Sequence, residues 1–83
     1  MILFSAPTCD KCKEIKEGFD LRSLGVEVME LTEDNAEALA QLAFYSLVKK
    51  AEEGLPILVL KEKEIAIRGA ENIKKFLENK LKN

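Results

Sequence analysis

The sequence predicts an α/β chain built on a four-stranded mixed sheet in the order 2-1-3-4, with helices on both faces. Three observations lead there. Met1-Ile2-Leu3-Phe4 and Ile57-Leu58-Val59-Leu60 are wholly apolar runs, the pattern of strands buried on both faces and therefore central in a sheet. Val26 to Leu31 and Ile65-Ala66-Ile67 are short, contain β-branched residues and adjoin charged ones, which suits outer strands. Helically spaced segments lie between the first three strands and after the last, so the order reads βαβαββα.

The first strand is closed by Ser5-Ala6-Pro7. From Asp10 to about Ser23, Ile15, Phe19 and Leu21 or Arg22 fall near helical spacing with Lys and Glu between them, and Gly25 follows as a stop. Gly18 inside this helix costs roughly 1 kcal/mol relative to Ala, so it marks either close packing or simple tolerance. In the second strand, Glu27 and Glu30 interrupt the apolar residues, so one side is expected to meet water. Asp34 with Glu37 three residues on resembles a capping box. Ala36, Leu39, Ala40, Leu42, Ala43, Leu47, Val48 and Ala51 then form a wide apolar stripe, predicting one helix over 35–53 that ends at Glu53-Gly54. Leu55-Pro56 opens the third strand, and Lys61-Glu62-Lys63-Glu64 is a charged turn. Ile73, Phe76, Leu77 and Leu81 mark the last helix, supported at four-residue spacing by Glu71 to Lys75 and Glu78 to Lys82. A parallel β-α-β unit joined by a helix to a hairpin obeys the short, right-handed connection rule.

At 83 residues the chain is expected to be a single domain over 1–83, just above the roughly 70–80 residues below which a lone core needs staples. Apolar residues make up 47% and charged residues 34%, in short alternating blocks, which describes a globular chain rather than a disordered or fibrous one. Thirteen Lys and Arg against 15 Asp and Glu give a net charge of −2 with no basic tract, so nucleic acid is not an expected partner. No apolar run reaches the roughly 18–20 residues of a membrane span, and Met1 to Cys9 lacks the charged and long apolar regions of a secretory leader. A cytoplasmic monomer without membrane contact is the expectation.

In a reducing cytosol, two cysteines two residues apart are reactive or metal-binding rather than a structural staple. Cys9-Asp10-Lys11-Cys12 stands at a strand-to-helix turn. There Cys9 would meet unpaired backbone N–H groups and the positive end of the helix dipole, lowering its pKa below that of a free thiol. Cys12, one turn further in, is close enough to bridge Cys9 but packed, and so would act as resolving thiol. The chemistry that follows is dithiol exchange, with Cys9 as nucleophile and no cofactor. Asp10 and Lys11 pull in opposite directions on a thiolate, and Lys13 adds positive charge nearby. The competing reading is half of a zinc or iron–sulfur site, completed across a homodimer, since a structural zinc takes four ligands and the chain has two Cys and no His. A non-catalytic adaptor on the same fold is a third reading. Glu14, Glu17 and Asp20 are expected to face water, and Phe44 and Tyr45 to be core or rim residues.

Phe4-Ser5-Ala6-Pro7-Thr8-Cys9-x-x-Cys12, Gly54-Leu55-Pro56-Ile57-Leu58-Val59 and Ile67-Arg68-Gly69 together resemble the thioredoxin-fold superfamily, and within it the small glutaredoxin-like or redoxin proteins. The resemblance spans almost the whole chain and implies a thioredoxin-like fold of glutaredoxin size. It implies that Pro56 is cis and lies against the Cys-x-x-Cys, that the backbone of Leu55 pairs with a substrate chain, and that Thr8, Asp10, Lys11 and Gly69 face the substrate. Glutaredoxins carry Pro and Tyr between the cysteines, a Lys shortly before them, and paired glycines then an acidic residue before the last helix. Here Asp10, Lys11 and Ser5-Ala6-Pro7-Thr8 stand at the first places, and Gly69, Glu71 and Asn72 match the last in part. The Trp-Cys-Gly-Pro-Cys centre of thioredoxin is absent too. The expected partners are therefore a disulfide-containing protein substrate and a thioredoxin-reductase-like electron donor, in preference to glutathione.

Overall fold

The computed structural model describes residues 1–63 and 65–82, Lys82 by its backbone alone. The apolar runs become β1 (Ile2–Ser5) and β3 (Ile57–Leu60), buried at every position. They pair antiparallel, Phe4 opposite Ile57 and Ile2 opposite Val59. β2 (Glu27–Glu30) lies parallel to β1, and β4 (Ile65–Arg68) lies antiparallel to β3. The sheet order is β2-β1-β3-β4, the order expected from the pattern and consistent with the thioredoxin-like layout that the resemblance implies.

Strand side chains alternate between faces, so each central strand feeds two cores. On one face Leu3, Leu58 and Leu60 meet Ile15 of α1 (Asp10–Gly18) and Ile73 and Leu77 of α4 (Ala70–Lys82). On the other, Ile2, Phe4, Met29, Ile57 and Val59 meet Ala38 and Leu42 of α2 (Ala36–Phe44) and Leu47, which precedes α3 (Val48–Glu53). Each fully buried aliphatic side chain stabilises the fold by roughly 1.5–3 kcal/mol.

Local details differ from the sequence expectation. The first helix stops at Gly18 instead of continuing toward Ser23, with Phe19 extended at φ −135°, ψ 143°. Asp20 then accepts hydrogen bonds from the Ser23 N–H at 3.3 Å and hydroxyl at 2.7 Å, a local turn that competes with helix. Gly25, at φ +76°, completes the return to β2 in a conformation that favours glycine. Gly18 marks no close packing, since a Cβ there would meet nothing within 4 Å.

The helix expected over 35–53 is two helices. Ser46 sits at φ +57°, its N–H bonds the Ala43 carbonyl at 3.0 Å, and the Leu47 N–H bonds the Leu42 carbonyl at 3.0 Å. That pair of bonds is a Schellman C-cap with Ser in the place glycine usually takes. Leu47 and Leu42 share one core cluster, supplying the apolar contact that accompanies this cap. The order is thus βαβααββα. At the other end Asn35, not Asp34, caps α2: its Oδ1 accepts from the Ala38 N–H at 3.1 Å while its Nδ2 donates to the Glu30 carbonyl at 3.0 Å. An amide accepts and donates at once, whereas an ionised carboxylate only accepts, so Asn35 makes both bonds where its acidic neighbour could make one.

In α4, Lys74 reaches across to Glu14 of α1 at 3.0 Å, while no Glu71–Lys75 ion pair forms among the described residues. The Glu78–Lys82 spacing involves a side chain outside the described residues, as does Glu64 of the charged turn. Among the described residues no helix is long and apolar enough to cross a membrane.

Candidate functional site

β1 ends at Ser5, and the chain turns through Ala6, Pro7 and Thr8 into α1, with the Cys9 N–H bonding the Ala6 carbonyl at 3.1 Å. Cys9 is the N-cap of α1: its backbone is extended and its Sγ accepts a hydrogen bond from the Cys12 N–H at 3.2 Å. A sulfur therefore occupies the place where a capping oxygen usually satisfies the first free donors of a helix. Cys9 and Cys12 are joined by a disulfide, their Cα atoms 5.2 Å apart. Cys9 is half-buried, whereas Cys12 is 0% exposed. The two cysteines thus differ in exposure.

The peptide bond between Leu55 and Pro56 is cis, and Pro56 is buried at the mouth of β3. Its carbonyl accepts from the Gly69 N–H at 3.2 Å. Gly69, at φ +88°, turns the chain from β4 into α4, and its own carbonyl accepts from the Ile73 N–H at 3.1 Å. Lys11, Gly54, Leu55, Arg68 and Gly69 line a groove of about 380 Å³. Lys11, Leu55 and Gly69 of the expected substrate-facing set are therefore brought together. Thr8 and Asp10 are exposed next to the disulfide in sequence but do not line this groove.

Arg68 and Gly54 complete the groove; both lie within the sequence motifs, which gave neither a place at the site. Arg68 enters because it ends β4, and it pairs with Glu53 at 3.4 Å where both side chains are about half exposed. Only the fold joins these distant segments. A larger cavity of about 490 Å³ lies at the other end of the sheet, among Met1, Gly25, Leu60, Phe76 and Lys80. It contains no thiol, so its size does not make it the site of cysteine chemistry.

A polar cluster joining β1, β2 and α1 was also invisible in the sequence. Parallel pairing sets Glu30 beside Ser5, whose hydroxyl donates to Glu30 Oε1 at 3.0 Å, and Lys16, one turn beyond Cys12, donates to the same oxygen at 2.7 Å. The Lys16 hydrogen bond holds the Glu30 carboxyl below its ordinary range, opposed by desolvation and helped by Ser5. Glu30 Oε2 is buried without a hydrogen-bond partner although the side chain as a whole is 36% exposed. Glu14, Glu17 and Asp20 are exposed, as their spacing suggested. Among the described residues no group of three or more His, Cys, Asp or Glu side chains could hold a metal ion. Neither family models, curated proteins nor solved structures returned a match to this chain.

Proposed function

We propose that this chain is a thiol:disulfide oxidoreductase of the thioredoxin-fold, redoxin type, reducing protein disulfides through Cys9 and Cys12 in the cytoplasm. The observation that carries the reading is the unequal pair: a half-buried Cys9 capping α1 and a fully buried Cys12 bridged to it. In the dithiol form the Cys9 thiolate, favoured by the N–H groups and dipole of α1, attacks one sulfur of a substrate disulfide. A mixed disulfide forms, and the departing substrate thiolate takes up a proton. Cys12 then loses its proton and attacks Cys9 Sγ, releasing the second substrate thiol and leaving Cys9–Cys12 oxidised. Two electrons and two protons from an external dithiol donor, of the thioredoxin-reductase kind, restore the starting state. The chemistry requires no cofactor.

A substrate chain would lie along Leu55, Pro56 and the groove lined by Lys11 and Gly69, its extended segment pairing with the Leu55 backbone. Thr8 and Asp10 would border that segment on the α1 side. Cys12→Ser is expected to accumulate mixed disulfides on Cys9, visible by mass spectrometry after thiol blocking, whereas Cys9→Ser should trap none. Equal trapping by both would overturn the assigned roles. Stoichiometric zinc or iron in anaerobically purified protein, with no disulfide reductase activity, would favour instead a homodimeric metal or iron–sulfur module held by the same cysteines.

A further inference from the structure

We propose that the outer face of α2, continued by the first turn of α3, is the interface of a two-fold symmetric dimer of this chain. The proposal does not depend on the redox reading. In α2 only Ala38 and Leu42 are buried, and Glu37 is its single charged residue. The exposed positions of Ala36–Phe44 are otherwise Ala36, Leu39, Ala40, Ala43 and Phe44. Phe44 is 77% exposed, Val48 47% and Leu39 44%. The sequence pattern read Leu39 and Val48 as part of one wide apolar stripe; in α2 the fold buries only Ala38 and Leu42.

The face has the form of a helix-packing surface. Ala36, Ala40 and Phe44 fall in one row at four-residue spacing, and Leu39 and Ala43 in the adjacent one, the ridges that interdigitate when helices cross. Three alanines allow close backbone approach, leaving Leu39 and Phe44 to fill the space between. The Phe44 ring sits edge-on to half-buried Tyr45, centroids 5.1 Å apart, an arrangement that holds an aromatic side chain outward at low entropic cost.

Charge identifies the occupant as a second copy. Glu33, Asp34 and Glu37 are exposed at the start of α2; beyond its end Lys49 and Lys50 are exposed in the first turn of α3, followed one turn on by exposed Glu52 and by Glu53, which pairs with Arg68. A two-fold axis across the helix pairs it antiparallel with its copy, so the acidic end of each protomer meets the basic end of the other. Parallel pairing would set like charges together. One surface thus carries both halves of a complementary contact around an uncharged centre.

Sedimentation equilibrium of the full chain from about 10 μM to about 1 mM tests this, a range that spans weak, small interfaces. A monomer–dimer equilibrium is expected, unchanged by reductant. Phe44→Glu should raise its dissociation constant at least about tenfold, as loss of a central aromatic does. Leu39→Glu should act in the same direction. Both side chains are exposed, and far-UV circular dichroism would verify that the variants fold. Reversal at Lys49→Glu with Lys50→Glu should weaken the dimer, and adding Glu33→Lys with Asp34→Lys should restore it. A chain that stays monomeric to about 1 mM, a dimer that disappears with reductant, or one indifferent to Phe44→Glu would overturn the proposal. Failure of the second charge reversal to restore association would overturn the antiparallel arrangement.

Discussion

α1 and α4 on one side of the sheet, and α2 on the other, pack aliphatic side chains against it yet present opposite surfaces to water. Outside, α1 shows Asp10, Lys11, Lys13, Glu14 and Glu17, and α4 shows Glu71, Lys75, Glu78 and Lys80, with Lys74 joined to Glu14 between them. A charged face cannot turn inward, so polar spacing alone fixes how those helices sit. α2 has almost no charge to orient it. Its rotation is instead held at the two ends, by Asn35 bonded to the end of β2 and by Leu47 tucked against Leu42. The two layers show that a helix can be placed by its surface or by its caps, and that the second route leaves an apolar face outside.

The largest effects should separate buried from exposed apolar residues. Ile73→Ala, at a side chain 0% exposed in the α1–α4 core, is expected to cost about 2–5 kcal/mol, through lost transfer energy and the cavity left behind. Leu39→Ala, on the outer face of α2, should stay within about 0.5 kcal/mol in dilute monomer. Urea unfolding of both variants checks the pair. A Leu39→Ala cost equal to that of Ile73→Ala would mean α2 is rotated from the position described.

The same contrast explains what the sequence made legible. Two-sided burial leaves an uninterrupted apolar run, so β1 and β3 were plain, and their order with the helices implied the sheet. Cys9 and Cys12 were legible because their spacing and the preceding strand place them at a helix start. The break at Ser46 was not, because its positive φ is adopted by a residue that carries no glycine signal. Nor was the choice between Asp34 and Asn35, two adjacent residues that both cap well; the carbonyl of Glu30 decides it. Arg68 and Gly54 join the groove, and Lys16 joins Glu30, only through strand register and helix packing. No local pattern records such contacts.

The caps supply the next effect in size. Asn35→Ala removes the acceptor for the Ala38 N–H and the donor to the Glu30 carbonyl, and should cost about 1 kcal/mol, within the range of about 0.5–2 for lost N-caps. Asp34→Ala should cost less than half as much, since no cap bond is assigned to it. Thermal or urea unfolding of the two variants in parallel measures the difference. Equal losses would return the cap to Asp34 and weaken the account of how α2 is oriented.

Glu30 connects the two layers and yields the smallest expected effect. Its backbone carbonyl receives Asn35 and so serves α2, while its carboxylate receives Lys16 of α1. The first bond is uncharged and insensitive to pH; the second is not. Because Lys16 lowers the folded-state pKa of Glu30 below its ordinary value of 4.5, the unfolded chain binds the proton more readily. Stability from this pair is therefore present above about pH 4.5 and is lost as the pH falls through the lower folded-state value. With the carboxylate 36% exposed, solvent screening limits the loss to well under about 1 kcal/mol. Urea unfolding at stepped pH should show the native chain losing slightly more stability over this acid interval than Glu30→Gln, which keeps an acceptor for Ser5 but does not titrate. Parallel curves for the two would mean that Lys16 does not hold the carboxylate, leaving α1 placed by apolar packing and its charged surface alone.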